Sequence, residues 1–307
     1  MSSAFLLPRD FVRSTEALAR TSNSSEAADY TRWLATHHYE NFHVVSFMLP
    51  KRLHQDFYNV YAFCRWADDL GDEIGDPKES LRLLEWWREQ LEAMYAGCAS
   101  HPVYVALRET VERHSLPAEP FRDLIRAFVQ DQAVTRYQTY TELFDYCRLS
   151  ANPVGRLVLY LCGYKDEERR RLSDATCTAL QLANHWQDIS VDLEKDRVYL
   201  PVEALDRHGS SLADVLGRRA TPGFRAALRE AADVARRLFH QGLPLARMVG
   251  GRLAVDLDLF SRGGLLILDK IESQDYDIFS RRPHVTKTER IRLLISTLAR
   301  VAISRAA

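Results

Sequence analysis

Asp68, Asp69 and Asp72 in YAFCRWADDLGDE, and Asn184, Asp188 and Asp192 in QLANHWQDISVDLEKDRVYLP, are the residues whose types and spacing could do chemistry. Asp68 and Asp72 are four residues apart and the second set steps by four twice, so on a helix each set shares one face. Like charges at that spacing weaken a helix by about 0.2–0.5 kcal/mol per pair. A hard divalent cation offsets that cost, because stacked oxygens are its preferred ligands. With 42 acidic residues among 307, any one such pair is more often a solvated helix face. That bland reading weakens here because core-type residues surround both sets. Val60, Tyr61, Phe63 and Trp66 precede the first, and Leu182, Trp186, Ile189 and Val191 surround the second. Carboxylates in such company are costly unless paired or bound to metal.

Magnesium takes octahedral oxygen ligation, keeps several waters, and is held by one or two carboxylates plus substrate phosphate oxygens. Two acidic stripes on separate helices, facing each other across a cavity, therefore predict a magnesium-bridged phosphate or diphosphate substrate. A diphosphate needs basic residues, and Arg65 lies three residues before Asp68, Arg197 follows the second stripe and Arg281 ends YDIFSR. Each alone reads as a surface arginine, and its position beside an acidic motif favours the diphosphate. No GxxxxGK[ST] or Rossmann glycine pattern occurs, and no His/Cys set has zinc spacing. His37, His38 and His43 read as polar surface or packing residues.

The elements that must position these groups are helices. Asp76-Pro77-Lys78-Glu79 reads as a capping box with proline at the first helical position, and Gly97 as a stop. Between them Leu81, Leu84, Trp87, Leu91 and Tyr95 recur at helical spacing. Thr221-Pro222 opens another helix with Phe224, Leu228, Ala231, Val234 and Leu238 on its apolar stripe. Helical patterns also run through 53–75, 118–131, 141–163, 174–194, 250–274 and 286–304, and sustained period-2 alternation is missing. The reading is one all-α domain over residues 26–307, preceded by an N-terminal arm over residues 1–25.

Bulk properties exclude several classes. A net charge of −1 gives no basic field for nucleic acid. Five cysteines without a CxxC pair read as reduced thiols. No run of 18 apolar residues exists, and AFLLP lacks the features of a secretory signal. The expectation is a cytoplasmic protein, with contact at the inner membrane face allowed by the composition.

YAFCRWADDLGDE and QLANHWQDISVDLEKDRVYLP, taken in order with LDKIESQDYDIFSRR, resemble the squalene/phytoene synthase family, from about Tyr39 to Leu294. The resemblance implies an all-α, single-domain isoprenoid synthase type helical bundle around a central cavity. It implies Mg2+-dependent chemistry on a prenyl diphosphate, with farnesyl diphosphate or presqualene diphosphate as substrate. Carried over by residue, Asp68, Asp72, Asn184, Asp188 and Asp192 are the metal ligands, and Tyr146 in DYCRLSANPVG lies near the reacting centre. Arg65, Arg197 and Arg281 match diphosphate-contacting arginines, and Phe42 matches an aromatic of the entry motif.

The departures from the family pattern narrow the expectation. Gln187 stands where many members have arginine, SANPVG replaces VAG[ST]VG through Asn152 and Pro153, and Gly264 stands where phytoene synthases often carry tyrosine. This set resembles the branch of bacterial hopanoid biosynthesis that converts presqualene diphosphate to hydroxysqualene with water as nucleophile. Asn152 or Gln187 is expected to hold that water, and no nicotinamide cofactor is expected. A first-step synthase joining two farnesyl diphosphates, or a phytoene synthase, is the nearest enzymatic alternative. A catalytically silent assembly factor is the alternative of another class, and the retained aspartates speak against it.

Overall fold

The computed structural model describes residues 5–37 and 50–306, with side chains described through Val301. Among the described residues there are helices and no strand, and the one isolated bridge pairs Arg136 with Val198. The chain divides into two compact units. One comprises Met1–Ala133 and Arg156–Lys165, the other Val134–Gly155 and Asp166–Ala307.

In the first unit the long helices are α1 (Ser24–His37), α2 (His54–Asp72), α3 (Pro77–Tyr95), α4 (Pro102–His114) and α5 (Glu119–Gln130). Helix α2 packs against all four others. Its sequence explains this, because Val60, Tyr61, Ala62, Phe63, Trp66, Ala67 and Leu70 are apolar around most of the circumference and all are buried. Trp66 stacks on Trp87 of α3 with centroids 5.0 Å apart and planes within 9°. Its indole N–H donates to Tyr30 Oη of α1 at 3.0 Å. The N-terminal 25 residues contain two short helices, and Phe11 is buried with its ring 5.2 Å from that of Trp66.

Two of the buried polar groups in this unit, Asp56 and Asn59, are paired as desolvation demands. Asp56 accepts from Thr110 Oγ1 at 2.9 Å and Arg113 Nη1 at 2.6 Å, and lies 3.0 Å from His114 Nε2. Asn59 donates to Ala106 O and Thr110 Oγ1, each at 3.0 Å. At the start of α3 Asp76 caps Lys78 N as its position predicts. Glu79 does not complete the box; it pairs with Arg82 instead, at 2.8 and 2.6 Å.

The second unit contains α6 (Tyr140–Ser150), the first turn of α7 (Asn152–Leu161), α8 (Glu167–Asp192), α9 (Pro222–Gly242), α10 (Gly251–Ser273) and α11 (Lys287–Ala306). Helix α8 is its spine and packs on α6, α9 and α10. Two glycines let neighbours approach it closely. A Cβ at Gly242 would collide with Thr176 Oγ1 and come within 3.0 Å of Leu172 O, and one at Gly155 would strike Ser173 and Cys177. The single helix expected over 141–163 is interrupted at Ala151, where Pro153 has no N–H to continue the hydrogen-bond ladder of the preceding turn. The helix expected from 174 begins at Glu167, where Asp166 accepts from Arg169 N at 3.0 Å as N-cap.

Candidate active site

Helix α2 ends at Asp72 and α8 at Asp192, so each acidic row occupies the closing turns of its helix, and neither last turn holds a basic residue. Carboxylates at that negative pole work against the macrodipole by about 0.3–1 kcal/mol each. A bound cation reverses the sign of that term. Among the described residues no three His, Cys, Asp or Glu side chains come together as a ready cage. Each row is an all-oxygen partial shell, which fits an ion that keeps waters and takes its remaining ligands from a substrate.

In the first row Asp69 points inward and is buried, whereas Asp68 is half-exposed and Asp72 exposed. Arg65 Nη2 lies 2.6 Å from Asp69 Oδ1 and Nη1 3.6 Å from Asp68 Oδ2. Burial pushes the Asp69 carboxyl up to about 6, with Asp68 adding to the rise and Arg65 opposing it. Asp69 thus fixes Arg65 beside the accessible carboxylate of Asp68. Arg65 Nε is buried and has no hydrogen-bond partner.

In the second row Asn184 is exposed and Asp188 partly so, and Arg282 Nε sits 2.5 Å from Asp188 Oδ1. The segment bearing Arg282 is fastened to the end of α8. Gln187 Nε2 donates to Pro283 O at 2.6 Å, and Ser190 Oγ donates to Ile278 O at 3.1 Å. Asp277 shapes the turn between them by accepting from Phe279 N and Ser280 N. Arg281 is exposed, and its carbonyl accepts from Gln274 Nε2. Arg197 is half-buried, and its backbone N–H donates to Asp192 O at 2.9 Å.

Burial, then the charge of Asp188, pushes the Asp192 carboxyl up to about 7 against the pull of Arg197, Lys195 and Arg282. The folded chain therefore holds this proton more tightly than the unfolded one. Stability from this group falls as pH rises from about 4 to about 7 and is level above. In a chelating buffer, Asp192→Asn is expected to melt higher than the parent at pH 8, by on the order of 1–2 kcal/mol after solvent screening. The gain should shrink at pH 4.5. A difference independent of pH in thermal melts would refute the assignment.

Behind the second row lies an aromatic stack. The backbone of 134–138 runs beside 196–203, with Val198 N donating to Thr135 O and Val202 N to Tyr137 O, which brings Tyr137 and Tyr199 together. His185 stacks on Tyr199 at 3.6 Å, and Tyr146 lies 5.9 Å from Tyr199. Burial and Arg197 push the His185 imidazole down to about 3, so the ring is neutral. Neutral π faces attract a cation without offering a strong nucleophile. Asn152 is buried, and its Oδ1 accepts from Thr178 Oγ1 at 2.9 Å, which leaves its amide hydrogens as the donors for a ligand.

Phe42 lies outside the described residues. The structure brings Arg65 to Asp68, and Gln187 and Asp192 to the end of α8 that carries Asp188; Arg281 reaches no carboxylate there. Sequence reasoning missed the inward role of Asp69, the stacking of His185 on Tyr199, and Arg282. The doubled arginine signalled a cation near Asp188, but an irregular segment has no period to say which of the two reaches it.

Helices of this order, with acidic rows closing two of them, define an enzyme of the all-α isoprenoid synthase class. The squalene/phytoene synthase family model matches residues 35–289. A phytoene synthase of Thermus thermophilus is 35% identical over 84% of this chain and 87% of its own length. A hydroxysqualene synthase of Zymomonas mobilis is 33% identical over 84% and 86%. The crystal structure of squalene synthase HpnC from Alicyclobacillus acidocaldarius superposes with a TM-score of 0.79 and 47% identity, covering 82% of this chain and 95% of that one. The chain belongs to the squalene/phytoene synthase family, enzymes that process prenyl diphosphates.

Proposed function

We propose that the protein converts presqualene diphosphate and water to hydroxysqualene and diphosphate, with magnesium as the metal of both acidic rows. The observation that carries this reading is Gln187. A neutral amide tied to Pro283 O stands beside Asp188 where the family pattern often places a guanidinium. One fewer cation beside the leaving diphosphate, and a wall altered at Asn152, fit a reaction that ends on water. The likeness to a hydroxysqualene synthase supports it.

When bound, magnesium would act as Lewis acid on the departing diphosphate. Asp68, Asp72, Asn184, Asp188 and Asp192 would hold it, and Arg65, Arg197 and Arg281 would hold the diphosphate oxygens. Departure of the diphosphate breaks a carbon–oxygen bond and leaves a carbocation on the substrate, which Tyr146 and Tyr199 would stabilise at about 0.5–2 kcal/mol each. The amide hydrogens of Asn152, or the amide of Gln187, would orient one water. Its oxygen forms the new carbon–oxygen bond and its proton is lost to solvent or diphosphate.

The likeness to a phytoene synthase supports a second reading, the joining of two prenyl diphosphates. One experiment separates them. Presqualene diphosphate and farnesyl diphosphate are supplied separately, with magnesium, without reductant, in 18O-labelled water. Labelled hydroxysqualene from presqualene diphosphate is the expected result. Turnover of farnesyl diphosphate alone would replace the reading with the second.

A further inference from the structure

Helix α11 is attached by a mixed face, with Leu293 over Gly263 of α10 and polar bonds beside it. Thr297 Oγ1 donates to Asp258 Oδ2 of α10 at 3.0 Å, Arg300 Nη2 reaches the same oxygen at 3.2 Å, and Glu289 pairs with Lys270 at 2.7 Å. Thr297 is fully buried and Val301 nearly so. The opposite side carries Ile291, Leu294, Ile295 and Leu298, exposed by 59, 36, 63 and 45%. Their spacing of i, i+3, i+4 and i+7 makes one continuous stripe. A surface helix ordinarily turns its apolar stripe to the core and its polar face to water. Here a second apolar stripe is turned to water, and contiguous apolar surface of this kind marks a docking face.

Charge decides what docks there. Lys287, Arg290 and Arg292 are exposed along or beside the stripe. The helix's acidic residue, Glu289, is neutralised by Lys270. An apolar stripe edged by cations is the pattern of a helix lying in a bilayer interface, its side chains among acyl chains and its cations at anionic headgroups. No described helix is long and apolar enough to cross a membrane, which is consistent with a helix that lies on one. We infer that α11 docks the protein onto an anionic lipid bilayer through Ile291, Leu294, Ile295 and Leu298, with Lys287, Arg290 and Arg292 on the headgroups. This surface is carried by its own residues and does not depend on which diphosphate is the substrate.

The test is sedimentation of the full chain with vesicles of neutral phosphatidylcholine, or of phosphatidylcholine mixed with phosphatidylglycerol, alongside the variants Ile295→Asp and Arg290→Glu/Arg292→Glu. The altered side chains are exposed, outside the acidic rows and outside the contacts that hold the helix, so folding and turnover of detergent-dispersed substrate should be unchanged. The parent should bind the anionic vesicles and release them as salt rises. Each basic residue contributes about fivefold to partitioning, so the double reversal should lower it more than tenfold, and Ile295→Asp should do likewise. Equal binding to neutral and anionic vesicles, or undiminished binding by Ile295→Asp, would overturn the inference. So would a parent dimer in analytical ultracentrifugation that Ile295→Asp dissociates, because the stripe would then belong to a second copy.

Discussion

Replacing Asp188 with asparagine is expected to lower turnover at least about 10²-fold while leaving the helical circular dichroism intact. Losing one charge contact to the reacting centre costs that order where bulk water is excluded, and asparagine keeps the size but not the charge. Arg282, now 2.5 Å from the carboxylate, would face a neutral amide. Asp188 is partly exposed, and surface changes of this kind typically move stability by no more than about 0.5 kcal/mol. Asp68→Asn should behave the same way in the other unit, since Asp68 is half-exposed and secondary to Asp69 in holding Arg65. The measurement is product formation from presqualene diphosphate and, separately, farnesyl diphosphate. Activity within tenfold of the parent would remove the substituted residue from the metal site.

The second large effect concerns stability. Trp66→Ala should destabilise the first unit by about 3–5 kcal/mol, the usual cost of truncating a fully buried tryptophan. Three losses combine at this position. The ring leaves a void between Phe11, Trp87 and His101, the 5.0 Å stack on Trp87 disappears, and Tyr30 loses its donor. Because Trp66 lies two residues before Asp68, loosening it also loosens the end of α2 that carries the first acidic row. Urea titration followed by circular dichroism checks this. Trp66→Phe should recover much of the loss, and an unchanged midpoint for Trp66→Ala would show that the cluster contributes little.

Much of this architecture was legible in the sequence, because apolar residues at helical spacing leave little choice. The cap at Asp76 and the proline at 222 formed where their residue types required. Phe224, Leu228 and Ala231 of the α9 stripe are buried, while Ala235 and Phe239 rather than Val234 and Leu238 continue the buried face. The limits of legibility were local. Residues 167–173 are mostly charged or polar, so the apolar period hid the first two turns of α8, which Asp166 caps. The helix over 102–114 has buried residues on nearly every side, and a pattern without a polar face shows little period. In the site, spacing placed each acidic row on one helix, since both rows do lie on helices. It could not separate Arg281 from Arg282, whose positions depend on bonds from Gln187 and Ser190 to a non-helical segment. Nor could it show that Asp69, between two accessible aspartates, turns inward.

The parallel indoles of Trp66 and Trp87 have an optical consequence. Two chromophores 5.0 Å apart couple their excited states, so light absorbed by one is shared with the other. Trp33 and Trp86 lie in the same unit, whereas Trp186 is the lone indole of the other, its N–H held by Ala231 O. Ultraviolet spectroscopy therefore reports chiefly on one half of the molecule. Emission that dims or shifts on adding a substrate analogue speaks first for the half that carries Asp68.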